Sequence, residues 1–139
     1  ALRPDLEAAL AIAHETVTLT AGLSMPAFAR EPRFVSIKHP SEYPYNDGRI
    51  VSSDGIDIPM SAWRSVFEEF QVEGTNALHA RSLDGKGVYL VGPAARVALA
   101  ADQLHPLAKE ALASSGFAEL IRTNIYASIV ARAGSSSIS

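Results

Sequence analysis

The sequence predicts an α+β fold with a small mixed or antiparallel sheet and about four helices. Apolar residues recur at helical spacing in several segments, which indicates amphipathic helices. The strand-like runs are few, short and joined by turn signals such as the Asn-Asp-Gly at 46–48. Helices and strands do not alternate in the regular order of a doubly wound sheet. A length of 139 residues, 47% of them hydrophobic, suits one compact domain, which we assign to residues 1–133.

The first predicted helix covers residues 4–21. Pro4 suits a first helical turn and Gly22 suits a stop. Its apolar face is formed by Leu6, Leu10, Ala13 and Val17. Short strands are then predicted at residues 34–37 and 49–52, separated by a segment with two prolines and a turn.

The second half of the chain is predicted to contain three more helices and one strand. Ser61 suits the N-cap of a helix, whose aromatic face would be Trp63, Val66, Phe67 and Phe70. Residues 88–91 form the clearest strand, between glycines. Further helices are expected at 106–114, ended by Gly116, and at 124–133, with Ile125 and Ile129 on one side. The sequence GSSSIS at 134–139 is expected to be a disordered tail.

Composition excludes several classes of function. The net charge of −3 gives no electrostatic footprint for nucleic acid. No run approaches the ~18 apolar residues that a membrane span needs, and the first residues lack a signal-peptide pattern, so we expect a cytoplasmic protein. The chain has no cysteine, which excludes disulfides, iron–sulfur ligation, thiolate metal sites and cysteine nucleophiles within it.

The histidines do not form a metal-binding pattern. His14, His39, His79 and His105 are widely separated in the sequence. His14-Glu15 begins like a zinc-protease motif, but Thr18 stands where that motif needs its second histidine. We therefore expect surface or capping roles for the histidines, and no metal site.

The glycines around residues 85–92 do not match a phosphate-binding loop. A P-loop needs Lys followed by Ser or Thr at the start of a helix, whereas Lys86 is followed by Gly87 and a predicted strand. We expect Gly85, Gly87 and Gly92 to serve as turn residues with the backbone freedom of glycine.

Catalytic groups are also weakly indicated. Ser52, Ser53 and Ser82 lack a Gly-x-Ser-x-Gly context, Asp54 and Asp57 suit turns, and Glu68 and Glu69 suit a solvated helix face. His79 and Arg81 are the strongest polar pair. On a strand they would point the same way, which suits an anion site or a protein contact. The alternative is that both residues lie on a surface loop.

Four stretches of the chain resemble the large (alpha) subunit of nickel–iron hydrogenases, in its cytoplasmic, sulfhydrogenase-like branch. They are FVSIKHPSEYPYNDGRIVSSDGIDIP (34–59), FEEFQVEGTNALHAR (67–81), YLVGPAARVAL (89–99) and NIYASIVARA (124–133), in matching order over about residues 5–133. Ala95 stands where the family commonly has leucine within the Gly-Pro-x-Ala-Arg element. The resemblance implies the interior part of that subunit's fold, contact with an iron–sulfur small subunit, and a parent reaction of reversible hydrogen oxidation.

The resemblance also shows what the chain lacks. The family holds its nickel–iron centre with two Cys-x-x-Cys pairs, and soft thiolates suit such a site, but none is present here. No catalytic, cofactor or metal residue can therefore be assigned by resemblance. We expect Gly92 and Pro93 to form a turn. We expect Arg96 to be at least half buried, with its guanidinium bonded to backbone carbonyls or a carboxylate.

Three functions follow as hypotheses. The first is a non-catalytic interior segment of a hydrogenase large subunit. The second is an interaction module that binds a small subunit or a second copy of itself, through Leu6, Leu10, Ile125 and Ile129. The third is a small enzyme that uses His79 and Arg81 on an anionic substrate, which requires a concave pocket around them.

Overall fold

The computed structural model describes residues 3–24, 26, 32–114 and 116–135, and it confirms an α+β fold. The helices of the described part are α1 (Arg3–Ala21), α2 (Pro93–Ala100), α3 (Pro106–Ser114), α4 (Phe117–Thr123) and α5 (Ser128–Ser135). Its strands are β1 (Arg33–Lys38), β2 (Arg49–Ser52), β3 (Asp57–Pro59), β4 (Phe67–Gln71), β5 (Leu78–Ser82) and β6 (Tyr89–Leu90). Short 3₁₀ segments cover Met60–Ser65, Ala101–Gln103 and Ile125–Ala127.

The larger sheet is mixed and has the strand order β3-β2-β1-β6. β1 is antiparallel to β2 and parallel to β6, and Phe34 lies opposite Leu90 in the parallel pair. The connection from β1 to β2 requires a glycine at its end. Gly48 has φ = 135°, and a Cβ there would lie 2.7 Å from the carbonyl carbon of Lys38.

One face of this sheet carries the hydrophobic core. Phe34 points from β1 into a cluster of buried residues contributed by all the helices, including Val17 of α1 and Val130 of α5. α2 packs against β1 and α5, and α1 packs against α5. Fully buried alanines at these contacts, such as Ala95 and Ala131, let the helices approach closely.

The predicted helix beginning at Ser61 is wrong. Residues Met60–Ser65 form a 3₁₀ segment, and Phe67–Gln71 is a strand that pairs antiparallel with Leu78–Ser82. Phe67 and Phe70 are three apart, so they share a face of a helix but lie on opposite faces of a strand. Long-range pairing with β5, which sequence spacing does not reveal, decides between the two. We call the β4–β5 hairpin, residues 67–82, the β-ribbon.

Other boundaries also differ from the sequence predictions. The predicted strand at 88–91 is reduced to Tyr89–Leu90, and α2 and α4 were not predicted. The sequence feature that indicates α2 is Pro93, which occupies the first helical position. The last helix begins at Ser128 instead of 124, and it extends to Ser135, so the first two residues of the expected tail are helical. The remainder of that tail, 136–139, lies outside the described residues.

Candidate functional site

A repeated Ser-x-Asp-Gly sequence, at 52–55 and 82–85, forms two turns of the same design. Each begins with a buried serine at the end of a strand, β2 in one case and β5 in the other. The serine hydroxyl donates to the aspartate two residues later, at 2.5 Å for Ser52 and Asp54. The glycines have φ = 102° and 70°, a backbone conformation that favours glycine over other residues.

Arg33 of β1 binds both turns at once. Its Nε donates to Oδ1 of Asp54 at 2.9 Å, and its Nη2 donates to Oδ2 of Asp84 at 2.8 Å. Its Nη1 donates to Oγ of Ser82 at 2.8 Å and to Oδ1 of Asp84 at 3.2 Å. The Arg33 side chain is only 8% exposed. The planar fork of a guanidinium is suited to such simultaneous bonds in a way that a lysine ammonium is not.

Lys86 completes the charge balance of this cluster. Its Nζ lies 3.0 Å from Oδ2 of Asp54, and its backbone N–H donates to Oδ1 of Asp84 at 3.1 Å. Two carboxylates are thus matched by two cationic side chains. We call the set of Arg33, Ser52, Asp54, Ser82, Asp84 and Lys86 the Arg33 clamp.

Hydrogen bonds shift the pKa values of the clamp away from those of free side chains. The Ser52 hydroxyl is the main cause that lowers the pKa of Asp54, and bonds from Lys86 and Arg33 lower it further. The pKa of Asp84 falls from 3.8 to about 2, chiefly through the Ser82 hydroxyl and then the backbone N–H of Lys86. Partial burial opposes both shifts.

The pKa of Arg33 itself is raised. Burial acts most strongly and in the opposite direction, but the bonds and charges of Asp84 and Asp54 together outweigh it. Arg33, Asp54 and Asp84 therefore stay ionised around neutral pH, in a network of charge-assisted bonds.

The clamp is built for structure and not for nucleophilic catalysis. Each serine hydroxyl is committed to a carboxylate, and carboxylates with lowered pKa values are poor general bases near neutrality. No histidine takes part in the bonds described. What the arrangement does is join β1 to the turn after β2 and to the end of the β-ribbon.

The histidines take the surface and capping positions expected of them. Nδ1 of His105 accepts from the backbone N–H of Leu107 at 3.3 Å at the start of α3, and Nδ1 of His39 accepts from that of Ser41. His14 is exposed on α1. Among the described residues, no group of three or more histidine, aspartate or glutamate side chains is placed to hold a metal ion.

The glycines around 85–92 are turn residues, as predicted. Gly85, Gly87 and Gly92 have φ = 70°, 85° and 94°. Gly92 precedes α2, and Pro93 is its first residue, so the expected turn leads directly into a helix. Lys86 bonds Asp54 instead of facing an open phosphate site.

His79 and Arg81 point the same way, as the strand prediction required. Both contact the ring of Phe70: the His79 ring centroid is 5.8 Å from it, and the Arg81 guanidinium carbon is 4.8 Å from it. Arg81 also donates to Oε1 of Glu68 at 2.5 Å. This group lies on the exposed β-ribbon, and neither His79 nor Arg81 lines any of the principal cavities of the described chain. These five cavities therefore do not supply the concave pocket that an enzyme at this pair would require.

The prediction for the bonding of Arg96 is wrong. Arg96 is partly buried in the first turns of α2, but its buried Nε has no hydrogen-bond partner among the described residues. Its guanidinium carbon instead lies 5.6 Å from the centroid of the Tyr45 ring. The connection between β1 and β2 brings this ring to the helix, a contact that no local pattern indicates.

The expected apolar surface is present in part. Ile129 of α5 is 47% exposed, and Ile125, which lies in the 3₁₀ segment before α5, is 52% exposed, as an interaction surface would require. The side chains of Leu6 and Leu10, the other half of that prediction, lie outside the described side chains. Ile125 also borders a cleft of about 560 Å³ between β6, the start of α2 and α5, together with Val88 and Val91.

Arg33 is the main residue that sequence reasoning missed. The repeat of Ser-x-Asp-Gly at a spacing of thirty residues was a usable signal, because two like turns at strand ends create two carboxylates in need of a cation. The arginine that supplies this cation is determined by the pairing of β1 with other strands, and nearby sequence does not reveal that pairing.

No protein-family model, curated protein or solved structure matches the chain. Within the residues that the structure describes, no helix is both long and apolar enough to cross a bilayer.

Replacing Arg33 with methionine should lower the free energy of unfolding by about 1.5–3 kcal/mol, the range for losing hydrogen bonds to charged groups. Urea denaturation followed by circular dichroism measures the change. The matched control is Arg49→Met, which breaks the Arg49–Asp57 pair, where both side chains are more than half exposed. Its effect should stay below about 1 kcal/mol. Equal losses in both variants would contradict the special role of Arg33.

Ser82→Ala should raise the pKa of Asp84 from about 2 toward 3.8, because the Ser82 hydroxyl is the main cause of its depression. A carboxyl pKa depressed by folding stabilises the protein above the unfolded pKa, and this stabilisation is lost as pH falls through the folded pKa. The variant should therefore lose less stability than the parent between pH values of about 4 and about 2.

A carbon-detected NMR titration of the Asp84 carboxyl group measures this midpoint. Ser114→Ala is the control, because the Ser114 hydroxyl bonds the carbonyl of Ala111 and no acid. If the titration midpoint of Asp84 is unchanged in Ser82→Ala, the Ser82 hydroxyl is not the cause of the lowered pKa of Asp84.

Proposed function

We propose that this chain is a non-catalytic interior segment of the large subunit of a nickel–iron hydrogenase, in which it acts as scaffold. The observation that carries the proposal is the set of four hydrogenase-like stretches, 34–59, 67–81, 89–99 and 124–133, which appear in order along one chain. Their placement in the fold supports it, because they occupy elements that contact one another.

The contacts between these stretches are specific. The first stretch builds β1, β2 and β3, and β1 pairs with β6 from the third stretch. The third stretch continues into α2, which packs against α5 of the fourth. The second stretch forms most of the β-ribbon, which the Arg33 clamp fastens to β1. Segments far apart in sequence thus form one framework, as a structural unit within a larger subunit requires.

The nickel–iron centre of the family does not fit the residues of this chain. Such a centre needs soft thiolate ligands, and the 139 residues include no cysteine. In this proposal other parts of a parent subunit hold the metal and carry out reversible hydrogen oxidation. The chain itself contributes support and surface toward the iron–sulfur small subunit, in the cytoplasm, where the resembled branch of the family works.

Sequencing the transcript that contains this chain is the sharpest test of the proposal. We expect one Cys-x-x-Cys pair in the same reading frame on each side of residues 1–139. The purified 139-residue chain should contain no stoichiometric nickel by elemental analysis and evolve no hydrogen with reduced viologen. Stoichiometric nickel in the purified chain, or a reading frame without either cysteine pair, would overturn it.

A second candidate function is that of an interaction module derived from the same family, which binds a small subunit or a second copy of itself. The exposure of Ile125 and Ile129 favours it, since exposed apolar side chains mark a surface that a partner can cover. Light scattering distinguishes the candidates. Self-association that Ile129→Asp abolishes supports the module, and a strict monomer at all concentrations counts against self-association.

A further inference from the structure

A groove of about 400 Å³ crosses the face of the mixed sheet that points away from the helical core. Side chains alternate along β1, so Phe34 enters the core while Val35 and Ile37 face this groove. Trp63, Phe67 and Arg96 also line it. We call this feature the sheet groove. Its lining is mostly apolar, and it carries two charged side chains, the cation of Arg96 and the carboxylate of Glu69, which form no ion pair with each other among the described contacts.

Arg96 differs from the arginines of the clamp and of the strands. Arg33, Arg49 and Arg81 each bond a carboxylate. Arg96 pairs with no carboxylate of the described chain, and its Nε is buried without a hydrogen-bond partner. Arg96 is thus a partly buried cation whose guanidinium has no ionic partner in the described chain. The ring of Tyr45 lies near the guanidinium, but a ring face accepts no conventional bond from Nε.

The shape of the sheet groove suits a protein segment better than a small molecule. Met60 and Val91 on its walls are 42% and 64% exposed, so the groove is open along its sides. Small-molecule sites usually enclose about 70–90% of their ligand. Apolar side chains that are this exposed beside an apolar floor indicate a surface that another chain covers.

We propose that the sheet groove binds a segment of a partner protein that places apolar side chains over Val35, Ile37 and Trp63 and offers an aspartate or glutamate to Arg96. The carboxylate supplies an ionic partner to the outer nitrogens of the guanidinium, because Nε itself is buried beyond the reach of a docking segment. The ring of Tyr45 keeps the guanidinium oriented for it. This inference rests on the groove and on Arg96, and it does not depend on the hydrogenase relationship.

A library of random twelve-residue peptides displayed on phage tests the proposal on the intact chain. Selection against the immobilised wild-type protein should enrich peptides with one carboxylate beside apolar or aromatic residues. The selected peptides, synthesised and measured by fluorescence anisotropy, should bind Arg96→Gln about tenfold more weakly or worse. Replacing the peptide's acidic residue by its amide should weaken binding to the wild type by a similar factor and leave binding to Arg96→Gln unchanged.

Two further variants keep the test decisive. Val91→Asp changes an exposed residue of the groove and places a carboxylate there, so it should also abolish binding. This result does not depend on whether Arg96→Gln folds. Arg122→Gln is the matched control, because Arg122 is an exposed arginine that lines other cavities, and it should bind normally.

Several results would overturn the proposal. One is that the wild-type protein enriches no peptides beyond those that Val91→Asp enriches. Another is that the enriched peptides lack a carboxylate. A third is that Arg96→Gln and Arg122→Gln lose peptide affinity equally. Displacement of the peptide by octanoate at matching concentration would reassign the groove to small apolar acids and reject a protein segment.

Discussion

One guanidinium group, that of Arg33, joins three separate parts of the chain: strand β1, the turn after β2 and the turn at the end of the β-ribbon. A two-stranded ribbon is marginally stable alone, and the strand β5 exposes most of its residues to solvent. The β-ribbon meets the rest of the fold at its base, where the rings of Phe67 and Tyr89 are 4.9 Å apart and where Arg33 bonds Ser82 and Asp84. Because Arg33 belongs to β1, the strand between β2 and β6, the clamp fixes the ribbon to the centre of the sheet.

The two faces of the mixed sheet differ in character. On one face of the sheet, Phe34 of β1 packs into a core to which the helices contribute many small buried residues. On the other face, the 3₁₀ segment and the base of the ribbon cover the sheet incompletely and leave the sheet groove, with Arg96 in its lining. The charges of the clamp are balanced within it, whereas the charge of Arg96 is not. The clamp and the proposed contact at the sheet groove therefore depend on different arginines.

Much of the fold could be predicted where the signals are local. Helices α1 and α3 and strands β1 and β2 follow from apolar spacing, prolines and glycines, since each of these acts within a few residues. The β-ribbon could not be predicted, because Phe67 and Phe70 fit helical spacing and only pairing with β5 excludes the helix. The common direction of His79 and Arg81 was predictable from strand geometry. The environment of Arg96 was not, since it depends on Tyr45, about fifty residues away.

The central claim is that Arg33 sets the position of the β-ribbon on the sheet, and NMR of Arg33→Met tests it most directly. Nuclear Overhauser contacts between the rings of Phe67 and Tyr89 report the attachment, and contacts between Val35 and Ser52 across β1 and β2 report the sheet itself. In the variant, the account predicts that the ring contacts weaken or vanish while the contacts across the sheet persist. Ring contacts of unchanged intensity in a folded Arg33→Met protein would contradict it.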